Sequence, residues 1–257
     1  MKNYLNKLIA LAQICFSIAR ANFKLKNEGS ILGLFWYVLQ PLSLFLVIML
    51  VRTNKEFEKG VDYYPVYLIQ GLVLLNFFNT IINSTLTTVI ENANILRSMK
   101  TSLGILVVSK VIQALMSHII EIILMMIIAV TVKIPLYGFI FYPVIILPIL
   151  AFAMGIGFIC TILGAYVKDA MNVWRICYQL LMLISPIAYT ISPNTALYVI
   201  NLINPFFYFL EISRQVILLQ SIPELFLIIA TAILSSVTLF LGYRFFNHYK
   251  KYLPELV

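Results

Sequence analysis

Arg20–Leu42 reads RANFKLKNEGSILGLFWYVLQPL and joins a basic, half-polar segment to the start of a long apolar run. Arg20, Lys24 and Lys26 mark the first part, Asn27-Glu28-Gly29-Ser30 interrupts it, and apolar residues then continue from Ile31 past Pro41 to Val51. A charged amphipathic segment turning directly into such a run predicts a helix on a bilayer surface that feeds a helix across it. Gly29 permits a sharp turn without a Cβ clash, and Ser30 can N-cap the helix that follows. Upstream, Leu5, Leu8, Ile9, Ala12, Phe16, Ala19 and Phe23 recur at helical spacing, opposite Asn6, Gln13, Ser17, Arg20 and Lys24. That division makes 1–28 an amphipathic interface helix. The rival is a cleaved signal peptide, with Lys2 and Lys7 before Leu8–Ala19 and the small residues Ser17 and Ala19. Gln13 breaks its apolar run, and cleavage would leave basic residues to be translocated.

Of the 257 residues, 62% are hydrophobic and 11% charged. Too little polar surface remains for a soluble domain, so the chain reads as a single all-α, polytopic membrane domain over 1–257. Six spans are expected at 31–51, 64–88, 105–132, 139–167, 172–190 and 224–244. Ser192–Ser221 is too apolar for a water-exposed loop and too broken by proline for a span, which predicts two short re-entrant or interfacial helices. A net charge of +8 suits a nucleic-acid partner, but its distribution excludes that partner. Inner segments with the adjoining ends of the spans carry twelve Lys/Arg against four Asp/Glu, and outer segments with theirs five against five, so the excess orients both termini toward the cytoplasm. Cys15, Cys160 and Cys177 have no metal or redox spacing. No P-loop pattern is present, so no nucleotide is bound by that route.

Two polar rows run through the apolar sequence. Asn76, Asn79, Asn83 and Thr87 follow at offsets of three and four, as do Lys110, Gln113, Ser117 and Glu121, with His118 beside them. Each row therefore lies on one helix face, turned toward protein or water. Helix–helix hydrogen bonding explains the first row as well as a water-filled path does. Glu121 is the deepest ionisable residue, and no proton-relay partner is legible for it on another span, which favours a structural role. Ala151, Ala153, Gly155, Gly157 and Gly164 let a neighbouring backbone approach the fourth span closely. Ser185-Pro186 bends the fifth span near its outer end.

The phrase Arg20…Lys26-Asn27-x-Gly29-Ser30-x-Leu32-Gly33-x-Phe35-Trp36-x-x-x-Gln40-Pro41-Leu42 resembles the N-terminal signature of type-2 ABC exporter permeases for cell-surface polysaccharides, which serve O-antigen, capsule and wall teichoic acid. Lys168-Asp169, Ser185–Tyr189 and Leu202–Pro205 followed by Glu211 and Arg214 are similar to later phrases of that family. The resemblance implies a homodimeric conduit in a bacterial cytoplasmic (inner) membrane, driven by separate ATPase subunits that bind the ATP, with no cofactor or metal on this chain. It also implies a docking segment for those subunits at Glu91–Gly104, where Glu91, Ile95, Leu96, Arg97 and Lys100 stand.

Three function classes follow. An intramembrane transferase would use Glu121 or His118, but such enzymes gather several His, Asp or Glu at one membrane face, and this chain has two His in total. A channel without a motor leaves the docking-like segment unexplained. A transport permease accommodates all of it, for lipid-linked polysaccharide or, alternatively, for a lipid or other small amphipathic substrate. For a polymer, Trp36, Tyr37 and Gln40, with Asn76, Asn79 and Asn83 and with Tyr178, Gln179 and Tyr189, are expected to line the conduit, since sugar rings stack on aromatic faces. Arg20, Lys24, Lys26, Gly29, Ser30 and Gly33 would receive the carrier's anionic headgroup, and Asn204, Pro205, Glu211 and Arg214 would form an outer gate.

Overall fold

The computed structural model describes residues 2–28, 31–51, 63–93, 96, 102–191 and 195–255. Every regular element among them is helical: α1 (Lys2–Glu28), α2 (Phe35–Val51), α3 (Tyr64–Leu86), α4 (Thr88–Glu91), α5 (Leu103–Thr131), α6 (Tyr142–Tyr166), α7 (Ala170–Ile184), α8 (Ala196–Ile203), α9 (Pro205–Ile217) and α10 (Leu225–Tyr249), with single 3-10 stretches at Leu136–Phe141 and Lys250–Glu255.

Four of these helices are long and apolar enough to cross a membrane, and five if α8 and α9, which meet at 98°, count as one broken span. The six full spans expected from the sequence are not reached on that measure, because α2 and α7 are shorter than predicted. α2 starts at Phe35 rather than Ile31, since Gly33 takes a left-handed φ of 43° that no helix continues. α7 stops at Ile184 rather than Thr190, since Pro186 holds Ser185 extended at ψ 139°. The pair α8–α9 is the two-helix segment anticipated between Ser192 and Ser221, and Ser192–Asn194 lie outside the described residues.

α3 is the central post, packed between α5 and α6 with α2 and α7 alongside. Its side chains from Val66 to Phe78 are all buried, in a core shared with Phe152, Phe206 and Phe209. α10 lies at the edge and is held by α6, where Gly155 and Gly242 cross: a Cβ on either would collide with the other helix's backbone. The close approach predicted for the small residues of the fourth span is therefore observed at Gly155. Phe246 near the C-terminus packs with Val89, Leu103 and Leu106, and Cys15 on α1 bonds the Ile105 carbonyl, so both terminal helices meet the bundle at one end. On α1, Cys15 and Ala19 face the bundle while Ile9 and Phe16 stay exposed. The opposite, far end carries Tyr63, the 3-10 stretch at Leu136–Phe141 and residues 185–191 and 195–224.

Candidate functional site

At the termini end, α1, α2, α3, α5 and α7 enclose a cavity of about 490 Å³. Helical period turns Asn76, Asn79 and Asn83 of α3 into it, and the same period brings Lys110 and Gln113 of α5 to face them. Gln40 and Lys26 complete the mouth. Asn83 Nδ2 donates to Asn79 Oδ1 at 2.9 Å, and the Trp174 indole donates to the same oxygen at 2.9 Å. Lys110 Nζ reaches Glu91 Oε2 at 2.5 Å. Burial pulls the Glu91 carboxyl up, but hydrogen bonds from Lys110 and Thr87 and the charges of Lys110 and Lys26 outweigh it, and its pKa lies below the ordinary value.

Beneath the cavity a second network is sealed from solvent. Asn76 Nδ2 donates to Glu121 Oε1 at 2.5 Å, Glu121 Oε2 meets His118 Nδ1 at 2.7 Å, and His118 Nε2 meets the Tyr142 hydroxyl at 2.7 Å. Phe77 stacks on the imidazole at 4.2 Å between centroids. Glu121 thus bonds a neighbouring helix, α3, in keeping with a structural role, and through His118 it reaches Tyr142 on α6, a partner the sequence does not name. Helical period relates residues on one helix only, so a contact between His118 and Tyr142 of α6, 24 residues apart, is not legible in it.

At the far end a second concavity, of about 600 Å³, is lined by Tyr63, Tyr67, Tyr198, Phe207, Glu211 and Arg214. Its frame is the break in α7. The Pro186 carbonyl accepts from the Tyr67 hydroxyl at 3.0 Å and from the Arg214 guanidinium, which itself lies 3.6 Å over the Tyr67 ring. Asn204 N-caps α9 by accepting from the Phe206 N–H at 3.0 Å and donates to Ser185 Oγ at 2.9 Å. Asn201 Nδ2 takes the Ile184 carbonyl at 3.0 Å, and Gln70 ties α3 to Ser213 of α9. The carbonyls released by proline are thus met by side chains, as apolar surroundings require.

The sequence of this multi-helix bundle is matched over residues 13–218 by the family model of the ABC-2 type transporter. The chain belongs to that family. It is a membrane permease of an ABC transporter and an integral multi-pass protein, and the family implies partnership with ABC ATPase subunits. No curated relative matches the chain.

The other residues singled out in this ABC-2 permease distribute unevenly. Arg20, Lys24 and Gly33 border a groove of about 450 Å³ beside Phe23 and Met116, with Lys24 paired to Glu28 at 3.3 Å. Lys26 turns away from them, into the carboxamide cavity, and lies 5.6 Å over the Tyr37 ring. Gly29 and Ser30, and Ile95, Arg97 and Lys100 of the docking segment, lie outside the described residues. Glu91 faces Lys110, and Leu96 packs half-buried with Val89 and Leu103. Trp36 and Gln179 are exposed, and Tyr178 is half-buried against the core. The Tyr189 hydroxyl bonds back to the Leu183 and Ile184 carbonyls at 3.0 and 2.5 Å, capping α7. Pro205 opens α9 at its first position. Sequence reasoning missed Asn22, which lines the carboxamide cavity, and the juxtaposition of Gln113 with the asparagine row. The three-residue step from Lys110 was a signal for a shared face, with nothing to name the helix opposite.

Proposed function

We propose that this permease exports a lipid-linked polysaccharide across a bacterial cytoplasmic membrane, as a homodimer driven by separate ATPase subunits. The observation that carries the reading is that α3 ends in two concavities of different chemistry, carboxamide-lined at the termini end and tyrosine-lined at the far end. Carboxamides exchange hydrogen bonds with sugar hydroxyls, and aromatic faces take the C–H faces of successive rings. Weak contacts at both ends suit a sliding polymer. In this reading the termini lie in the cytoplasm, ATP is hydrolysed by the partner subunit, and the carrier's phosphate is drawn to Arg20 and Lys24. Trp36, Tyr37 and Gln40 join the asparagine row along the path, and Glu211 and Arg214 flank its outer opening. A transferase acting through Glu121 and His118 is less well supported, because both side chains are sealed at 2% and 1% exposure.

The test is reconstitution of the chain with its ATPase in proteoliposomes containing fluorescent lipid-linked polysaccharide. ATP should move the glycan to the compartment opposite the nucleotide, as read by protection from an added glycosidase. Movement of a labelled phospholipid with none of the glycan would replace polysaccharide by lipid as the substrate.

A further inference from the structure

A groove of about 410 Å³ lies between α6, α9, α10 and the 3-10 stretch at Leu136–Phe141, elements that take no part in the carboxamide cavity. Ile145, Phe209 and Ile212 are its buried lining, and Phe141, Val144 and Ala232 its exposed lining. Through Ile228 and Ala232 it is continuous with the open flank of α10. There Leu225, Phe226, Ile229, Ile233, Val237 and Phe240 are exposed, and no charged residue stands between Glu224 and Arg244. In an integral membrane protein such a flank faces hydrocarbon.

The walls restrict what the groove can hold. Its four polar side chains are bonded within the chain. The Tyr137 hydroxyl donates to Gln220 Oε1, and Gln220 Nε2 to the Pro135 carbonyl at 3.3 Å. Ser221 Oγ donates to the Gln215 carbonyl at 3.2 Å, and the Thr231 hydroxyl to that of Leu227 at 2.9 Å. Among the described residues no charged side chain lines the groove. A sugar hydroxyl, a phosphate or an ammonium would lose its water there and gain no partner. A hydrocarbon chain loses nothing, and it restores the dispersion contacts that an empty groove forfeits. A helix is about 10–12 Å across with its side chains, so the space admits little more than about one turn of one. The Tyr137–Gln220 clasp lies at the far end of the bundle, where an exposed tyrosine suits the headgroup level.

We infer that this groove binds one acyl chain of a bilayer phospholipid, held by Ile145, Phe209, Ile212 and Val216 with its headgroup at the Tyr137–Gln220 end. A substrate in the carboxamide cavity touches none of the groove's elements, so the occupant is a resident lipid and the inference does not depend on what is exported. α9 is the wall between two environments. Phe209, Ile212 and Val216 face the groove, while Phe207, Glu211 and Arg214 face the tyrosine-lined concavity. The lipid therefore packs the back of the helix that carries Arg214.

The test uses the full chain in nanodiscs of phosphatidylethanolamine and phosphatidylglycerol. It is irradiated with a phosphatidylethanolamine bearing a diazirine on its acyl chain, and adducts are located by peptide mass spectrometry. Adducts should form on the open flank at Val237 and Phe240, and also at Phe209 and Ile212, whose exposures of 2% and 9% leave them out of reach of chains outside the groove. Ala232→Phe fills the groove from α10 and should lower the adducts at Phe209 and Ile212 about threefold or more, with those at Val237 and Phe240 unchanged. Val144→Phe, which fills it from α6, decides alone if Ala232→Phe fails to fold. A labelled flank with no adduct in the groove, or groove adducts unchanged in the folded variants, would overturn the site. Groove labelling by a diazirine-bearing polyprenyl phosphate, with none by the phospholipid, would overturn it in favour of a carrier lipid. A disulfide-linked dimer formed through a single cysteine at Ala232, in a background without the native cysteines, would overturn it in favour of a second copy.

Discussion

At the far end of α3 the polar side chains are bonded mainly to backbone, and at the termini end mainly to one another. Tyr67, Arg214, Asn201 and Asn204 answer groups exposed by the breaks at Ser185-Pro186 and Asn204-Pro205. Asn79, Asn83, Lys110 and Gln113 project from unbroken helices, so their polar groups are not used to repair backbone and line the cavity instead. The difference separates two uses of polarity in an apolar bundle. One kind repairs a fold that proline has interrupted, and the other equips a cavity. Substitutions should therefore unfold the protein at the first end and alter transport at the second.

The largest effect is expected at Arg214. Arg214→Met removes the bond to the Pro186 carbonyl and the contact with the Tyr67 ring, and should cost about 2–4 kcal/mol. Thermal unfolding in detergent micelles should show this as a clear loss of folded protein before any assay of transport. A fully stable Arg214→Met protein would mean that the far end is not held by its carbonyl partners. Asn204→Ala should cost less, about 1 kcal/mol, by leaving the first turn of α9 uncapped. An Asn204→Asp variant, which retains the acceptor, should recover much of that loss.

At the termini end the contrast concerns access. In a background lacking Cys15, Cys160 and Cys177, single cysteines at Asn79 and Asn83 should react with a water-soluble thiol reagent. Cysteines at Leu74 and Ile81, fully buried on other faces of α3, should not. Asn76, deeper and bonded to Glu121, should react more slowly than its two neighbours. Equal protection at all five positions would make the row a helix–helix seam and erase the difference between the ends.

Much of this division is legible in the sequence, and its limits have physical causes. Proline acts locally: it removes a donor and restrains the preceding residue, so the bend at Ser185-Pro186 and the short helix pair after it follow from a few letters, whereas the helix end at Ile184 and the cap at Asn204 do not. A three- or four-residue period states which side chains share a face, and both polar rows were found that way. Period says nothing of which helix stands opposite. Lys110 and Gln113 could not be placed against Asn79 and Asn83 without the packing of α3 on α5, nor His118 against Tyr142 without α6. Glu91 shows the same limit: the resemblance implies that it belongs to a docking segment, and nothing in the sequence pairs its carboxylate with Lys110. On α1 the apolar row read from the sequence holds Ala19, which meets the bundle, together with Ile9 and Phe16, which stay exposed, while Cys15 makes the contact from outside that row.

The smallest effect sharpens the comparison at that Glu91–Lys110 pair. Glu91 is half exposed and Lys110 is not, so the pair should contribute only about 0.2–1 kcal/mol once solvent screening is counted. The Glu91 carboxyl has its pKa lowered from 4.5 in the folded protein, so its contribution is fully present above about that pH and is lost as the pH falls through the lower, folded value. The stability gap between wild type and Glu91→Gln should accordingly stay constant from neutral pH down to about 5.5 and close at pH values below 4.5. A Lys110→Met background should shrink both the gap and its pH dependence, because Lys110 lowers the Glu91 pKa through both a hydrogen bond and its charge. A gap that persists unchanged to pH 3.5 would show that Glu91 acts through packing instead. The cavity mouth would then be held by shape at the termini end, as the far end is held by carbonyls, and the ion pair would have no part in the contrast.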